Sequence, residues 1–176
     1  MKGTRAFDIS TRRMCMMGVL TALAVVLARV GNIQLGDYLR INFGFLPVAV
    51  AGLIAGPVHA AMVGAIADVL GMVLFPSGSF FLGFTLIAAL NGVIYGLFLY
   101  RKDLSLPRTA LCLLTVVLIS HILLNTLCLY LLYGKAVLAS FWVRTLKNII
   151  QYPINVALLY GAIRVIKRMP SYIRSM

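Results

Sequence analysis

Five basic residues in an otherwise apolar chain, Arg29, Arg40, Lys135, Arg144 and Lys147, are the first chemistry to be explained. All five fall beside or inside long hydrophobic runs. An ionised side chain there is costly and normally faces a bundle interior or water. Snorkelling to lipid phosphates accounts for Lys135, which lies between two runs, and less well for the rest. Arg144 and Lys147 lie within a run and Arg29 ends one. The sharper expectation is an outward-facing cavity lined by cations, whose ligand is an anion.

Polar residues in the same runs point the same way. His121 and Asn125 are four apart and share a helix face. Asn148, Gln151 and Asn155 form a second stripe, which Arg144 extends. Hydrogen bonding between helices explains His121 and Asn155, whereas Asn125, Arg144 and Asn148 are expected to meet ligand. Asp68 is the single acid inside an apolar run, and a lone buried carboxylate needs a partner or a proton. That partner is either an arginine or the paired N–H groups of an amino-heterocycle, which a carboxylate accepts in bidentate fashion. Asn91 poses the same choice.

Tyr38, Phe43, Phe75, Phe80, Phe81, Phe84, Tyr133 and Trp142 gather toward one membrane face. They read either as an interfacial belt or as surfaces for stacking a flat heterocycle. The F-P-S-G-S stretch at 75–79 is a turn by composition, and Phe75, Gly78 and Ser79 are placed where it can close over a ligand. In the first run, Thr21, Ala24 and Ala28 form a stripe of small residues, with Ala24 and Ala28 in A-x-x-x-A spacing. Such a stripe lets another helix approach closely in lipid, or serves internal packing.

The elements that must position these residues are helices in a bilayer. The chain is 62% hydrophobic and 11% charged, with a mean hydropathy of +1.01. A soluble domain carries roughly a quarter charged residues. Apolar runs at 13–30, 43–55, 58–74, 80–100, 109–133 and 141–166 predict an all-α membrane protein, a bundle of six transmembrane helices. It forms one domain over 1–176, with short basic tails at 1–11 and 167–176. Gly56-Pro57 breaks the second run from the third, and Pro153 is expected to kink the sixth.

Six spans place both termini on one side. Lys2, Arg5, Arg12, Arg13, Arg101, Lys102, Arg108, Arg164, Lys167, Arg168 and Arg174 then share that side, eleven of the 16 Lys and Arg. The positive-inside rule makes it cytoplasmic, in a multi-pass membrane protein. The five remaining basic residues mark the outer face.

The absences narrow the function. The net charge of +12 flanks apolar runs instead of forming one face, so nucleic acid is not the expected partner. Cys15, Cys112 and Cys128 match neither a zinc pattern nor a disulfide framework. The first run is span-length and lacks a small-residue cleavage site, unlike a signal peptide. There is no G-x-x-x-x-G-K-[ST] loop, H-E-x-x-H or G-x-S-x-G, no acid-base pair of carboxylates, and no evident inverted repeat. A binding component is expected, without cofactor or metal, and not an enzyme.

Several motifs resemble a known family. They are RINFGFLPVAVAGLIAGP at 40–57, GAIADVLG at 64–71, FPSG at 75–78, LNTL at 124–127, LYGK at 132–135 and RTLKN at 144–148. Together, over 11–164, the chain resembles the S components of energy-coupling factor (ECF) transporters, most of all their folate-specific branch. The resemblance implies a six-helix protein that captures a vitamin at the outer face. It also implies association with a transmembrane coupling subunit and two cytoplasmic ATPases, so that ATP is hydrolysed by partners. Ala24 and Ala28 would then contact the coupling subunit. Folate, with its flat pterin and dianionic glutamate tail, suits the residue inventory. Arg29, Arg40, Asp68, Phe75, Gly78, Ser79, Phe84, Asn125, Arg144 and Asn148 are the expected ligand contacts. The competing readings are an S component for a queuosine precursor, a pyrimidine or pantothenate, a stand-alone small carrier, and an intramembrane enzyme.

Overall fold

The structure is a computed structural model. It describes residues 11–29, 33–35, 39–41, 43–75, 81–102, 105–134 and 141–168, with backbone alone at 12, 13, 33–35, 39–41, 133, 141, 144, 167 and 168. In chain order the elements are α1 (Thr11–Arg29), β1 (Ile33–Leu35), β2 (Leu39–Ile41), α2 (Phe45–Ala55), α3 (Pro57–Leu74) and α4 (Leu82–Leu99). Then come α5 (Leu106–Val116), a π-helical segment (Val117–Leu124), α6 (Asn125–Tyr133) and α7 (Phe141–Arg168). From α5 to α6 the chain runs on as one rod, so the described residues form six helices.

Four stretches are long and apolar enough to cross a membrane: Pro57–Leu74, Leu82–Leu99, Leu106–Leu132 and Thr145–Ile166. Met14–Arg29 and Phe45–Ala55 are shorter apolar helices. The described residues form six helices, four of them candidate spans, and the second run, expected to be short, is α2. At about 1.5 Å per residue, α2 rises only about 16 Å against a hydrocarbon core of about 30 Å. Gly56 ends it. With φ of 89° the residue adopts a left-handed conformation that favours glycine, and Pro57 begins α3 at its first turn, where a missing N–H costs nothing.

A difference lies between α1 and α2, which the sequence reads as a loop. There β1 and β2 pair antiparallel, Ile33 opposite Ile41 and Leu35 opposite Leu39. Strands of three residues carry too little alternation to be seen in composition. Pro107 falls inside the first turn of α5 instead of preceding it, and α7 continues through Pro153.

The large apolar side chains are turned outward, among them Val58, Val73, Leu86, Leu97, Leu123 and Ile149, all more than half exposed. In lipid this is the expected arrangement, since hydrocarbon outside is as apolar as the interior. Inside, small residues let two of the helices meet closely. A Cβ on Gly92 or on Gly96 would run into the backbone of Ala60 or Pro57, so α4 lies directly against α3. The buried core, including Ala51, Ala60, Leu99, Cys112, Leu159 and Ile163, fills the end of the bundle where α2 and α4 finish, α3 and α5 begin and α7 ends. There Tyr100 covers Gly56 with its ring and carries the Arg101 guanidinium 5.2 Å from the ring centroid. The opposite end, where α1, α3 and α6 finish and α2, α4 and α7 begin, is hollow.

Candidate functional site

The hollow end is a cavity of about 650 Å³, within the range of about 300–1,000 Å³ usual for small-molecule sites. Its walls are assembled by helical periodicity. On α3, Gly64, Ala67, Asp68 and Gly71 fall at i, i+3, i+4 and i+7, and all four face the cavity. Ala24, Val25, Ala28 and Arg29 come from α1, Gly44, Phe45 and Val48 from the start of α2, and Ala88, Asn91 and Tyr95 from α4. The other wall is polar: His121 from the π segment, Asn125 from α6, and Lys147, Asn148 and Gln151 from α7. A π segment widens the helix and commonly marks a functional region. Here it opens toward the cavity at His121.

The charges are set by their neighbours. Asp68 accepts a hydrogen bond from the Thr85 hydroxyl on α4 at 2.8 Å. Thr85 is itself buried, so the carboxylate is oriented from behind by a neutral donor. One helical turn further along α3, the Arg29 guanidinium lies across Gly71: a Cβ there would sit 3.2 Å from its Nε. The absence of a side chain at Gly71 thus makes the bed on which the arginine rests. Lys147 stands on the facing helix. Among described residues the cavity has two cations, one carboxylate, four amide side chains and an imidazole. This set can bind an anionic group and, separately, read donors on a heterocycle. Among described residues no cluster of His, Cys, Asp or Glu could hold a metal ion.

Of the expected ligand contacts, Arg29, Asp68, Asn125 and Asn148 line this cavity together. Phe75 does not; it ends α3 at 47% exposure. Phe84 is absent from the lining too and packs edge-to-face on Phe81 at 6.0 Å between centroids. Gly78 and Ser79 lie outside the described residues. Arg40 is described in backbone only, in β2, and Arg144 likewise, in the first turn of α7. Lys147, Gln151 and His121 join the site from outside the expected contact set. Lys147 had its signal in the sequence, as a cation within an apolar run. Asn155, the far end of the expected stripe, does not reach the cavity, and its Oδ1 is buried without a partner.

The partner surface expected at Ala24 and Ala28 coincides with the cavity wall. Ala24 is 2% exposed, and both residues line the cavity wall. The face they share points into the bundle. Thr21 is buried with them and returns its hydroxyl to the Met17 carbonyl at 2.8 Å. The exposed small residues of α1 are Gly18 and Ala22, also four apart, and a Cβ on Gly18 would meet nothing within 4 Å.

A helical membrane bundle with one solid end and one charged, hollow end is a ligand-capturing protein of the bilayer. Residues 12–163 match the model of the ECF transporter substrate-specific component, and the chain belongs to that family. It is 41% identical over 156 residues to the folate transporter FolT of Clostridium novyi (strain NT), covering 89% of this chain and 90% of that one. It is 32% identical to the folate transporter FolT of Leuconostoc mesenteroides, over 86% of this chain and 84% of the relative. A crystal structure of FolT bound with folic acid superposes with a TM-score of 0.78 at 40% identity, covering 86% of this chain and 92% of that one.

Proposed function

We propose that this chain is the folate-binding subunit of an ECF importer, taking folate or a reduced folate into the hollow end. The observation that carries the reading is Arg29, Lys147 and Asp68 lining one cavity, in a chain whose relatives are folate transporters. The aminopyrimidine edge of a pterin presents N–H groups that a carboxylate accepts in pairs, which suits Asp68. The amides of Asn91, Asn125 and Asn148 offer both donors and acceptors around such a ring, and Phe45 and Tyr95 offer aromatic faces. Arg29 and Lys147 are left for the glutamate carboxylates, with Arg40 and Arg144 close to the opening in sequence.

In the orientation proposed, six helices are embedded in the cell membrane with both termini cytoplasmic. The cavity then opens outward, opposite the eleven topogenic cations. Energy comes from a coupling subunit and two ATPases of an ECF module. The small-residue face available to the coupling subunit is Gly18 with Ala22, since Ala24 and Ala28 face inward.

Calorimetric titration of the purified protein with folic acid, 5-formyl-folate, riboflavin and thiamin tests the ligand. Saturable folate binding with riboflavin and thiamin at least about 100-fold weaker is the expected result, in line with the discrimination a site built around buried polar groups achieves. Folates binding no tighter than riboflavin would end the assignment.

A further inference from the structure

The outside of the solid end carries a second concavity of about 450 Å³, between α5 and the C-terminal half of α7. Leu106 and Ala110 form one wall, and Pro153, Val156 and Ala157 the other. Tyr152 closes one end, its hydroxyl donating to the Ala110 carbonyl at 2.9 Å and tying α7 to α5. Toward the other end a Cβ on Gly161 would meet no atom within 4 Å, so the helix backbone is bare to the groove. Arg164 stands beyond it, lining the same groove and exposed.

What fills this groove follows from its walls and its depth. Water has almost nothing to bond to along Leu106, Ala110, Val156 and Ala157, and an empty slot of this size forfeits dispersion contacts along both helices. Hydrocarbon suits it. From Pro153 to Arg164 the helix rises about 16 Å, about half of the roughly 30 Å hydrocarbon core. This is the reach of one acyl chain in one leaflet. The charge at the groove's mouth selects the headgroup: a guanidinium is a good partner for phosphate, and Arg101 and Lys102, in the link from α4 to α5, and Arg108, in the first turn of α5, lie at the same end.

We propose that this groove is a binding site for one acidic phospholipid, its acyl chain between α5 and α7 and its phosphate on Arg164. The site takes from the proposed function only that the bundle crosses a membrane, and it is separate from the ligand cavity. A lipid seated there bridges α5 to α7 below the Tyr152–Ala110 hydrogen bond, where the two helices otherwise leave a gap.

The test is native mass spectrometry of the full chain in detergent, titrated with phosphatidylglycerol and phosphatidylcholine. The wild type should retain one phosphatidylglycerol about fivefold more tightly than phosphatidylcholine, the effect of one basic residue at a lipid surface. Arg164→Gln should remove that preference while still holding lipid. Gly161→Leu should lose the retained lipid, and Ala157→Phe, filling the groove from the neighbouring turn, should do the same. Thermal unfolding without added lipid should not fall in either, because a Cβ on Gly161 meets nothing and Ala157 is exposed. Equal retention of the two lipids by the wild type would overturn the proposal. So would undiminished retention by the two filled variants. Filled variants that keep their lipid yet assemble poorly with a coupling subunit would assign the groove to a protein partner instead.

Discussion

The two ends of the bundle are made from the same helices and do opposite things. At the solid end, Gly96 admits the backbone of Pro57, Gly56 turns the chain, and Ala60, Leu99, Cys112 and Leu159 are fully buried. At the hollow end Ala24, Ala28 and Gly71 keep the walls low, while Gly64 still lies against the backbone of Ala88. A glycine therefore gives backbone contact at Gly96 and a bed for a side chain at Gly71. Which results depends on whether the neighbouring backbone or only a flexible side-chain tip occupies the space. The solid end fixes the helix axes, and the hollow end inherits its shape from them.

The largest expected effect comes from attacking the solid end. Gly96→Leu places a side chain into the backbone of Pro57, which cannot withdraw without unseating α3. No folded protein should be recovered in detergent. Gly96→Ala should already cost about 1–3 kcal/mol, the usual penalty of overpacking, visible as a lowered unfolding midpoint. A Gly96→Leu protein with a wild-type midpoint would show that the end is not tightly packed.

Next in size is a change to the cations of the hollow end. Arg29→Gln and Lys147→Gln each remove one charged donor from the cavity, and charge-assisted hydrogen bonds contribute about 1.5–3 kcal/mol. Folic acid affinity should fall roughly 10- to 100-fold by calorimetry. An analogue without the glutamate tail should feel neither substitution. If it loses as much as folic acid does, these cations hold the heterocycle and the orientation of the ligand is reversed.

Much of the site was legible in the sequence because charge in an apolar run has few bland explanations. Arg29, Asp68, Asn125 and Asn148 were expected at the site and line one cavity, and Lys147 was flagged by the same logic. Direction was far harder to read. In water, an apolar stripe faces inward and a polar one outward. In α1 both faces are apolar, so nothing in Thr21, Ala24 and Ala28 says which way they point, and they point in. The same ambiguity affects Phe75 and Phe84, whose rings suit a ligand and a lipid equally. Gly71 carried no signal of its own, because its role exists only once Arg29 has been folded across it. The π segment is invisible in composition: Val117–Leu124 reads as any apolar helix, and the widening that opens His121 to the cavity belongs to the backbone. The shortness of α2 was readable from Gly56-Pro57, which ends the second run after about 13 residues.

A smaller effect is expected behind the carboxylate. Thr85→Val keeps the shape of the α4 side chain and deletes the hydroxyl that orients Asp68. A neutral hydrogen bond contributes about 1 kcal/mol, so folic acid affinity should drop roughly fivefold. Asp68→Asn changes the acceptor itself, and it should lower affinity further while equalising the wild-type and Thr85→Val backgrounds. Fully additive losses in the double variant would separate Thr85 from the action of Asp68.

The smallest change is the most direct comparison of the two ends. Gly71→Ala adds the same methyl group as Gly96→Ala, and both positions look crowded when a Cβ is placed on them. At Gly96 the obstacle is backbone. At Gly71 it is the Arg29 guanidinium, 3.2 Å away at Nε and 3.3 Å at its terminal nitrogen. The tip of a long side chain can yield by a few tenths of an ångström, with off-rotamer strain of about 0.5–1 kcal/mol. Gly71→Ala should therefore leave the unfolding midpoint where it is and weaken folic acid binding roughly two- to fivefold, because Arg29 meets its carboxylate from a displaced position. In Arg29→Gln the added methyl should lose its effect on affinity, since there is no guanidinium left to displace. A fall in the midpoint matching that of Gly96→Ala would mean that α1 is as firmly wedged against α3 at the hollow end as α4 is at the solid one. The cavity would then be a rigid mould, and Arg29 part of the wall that sets its width.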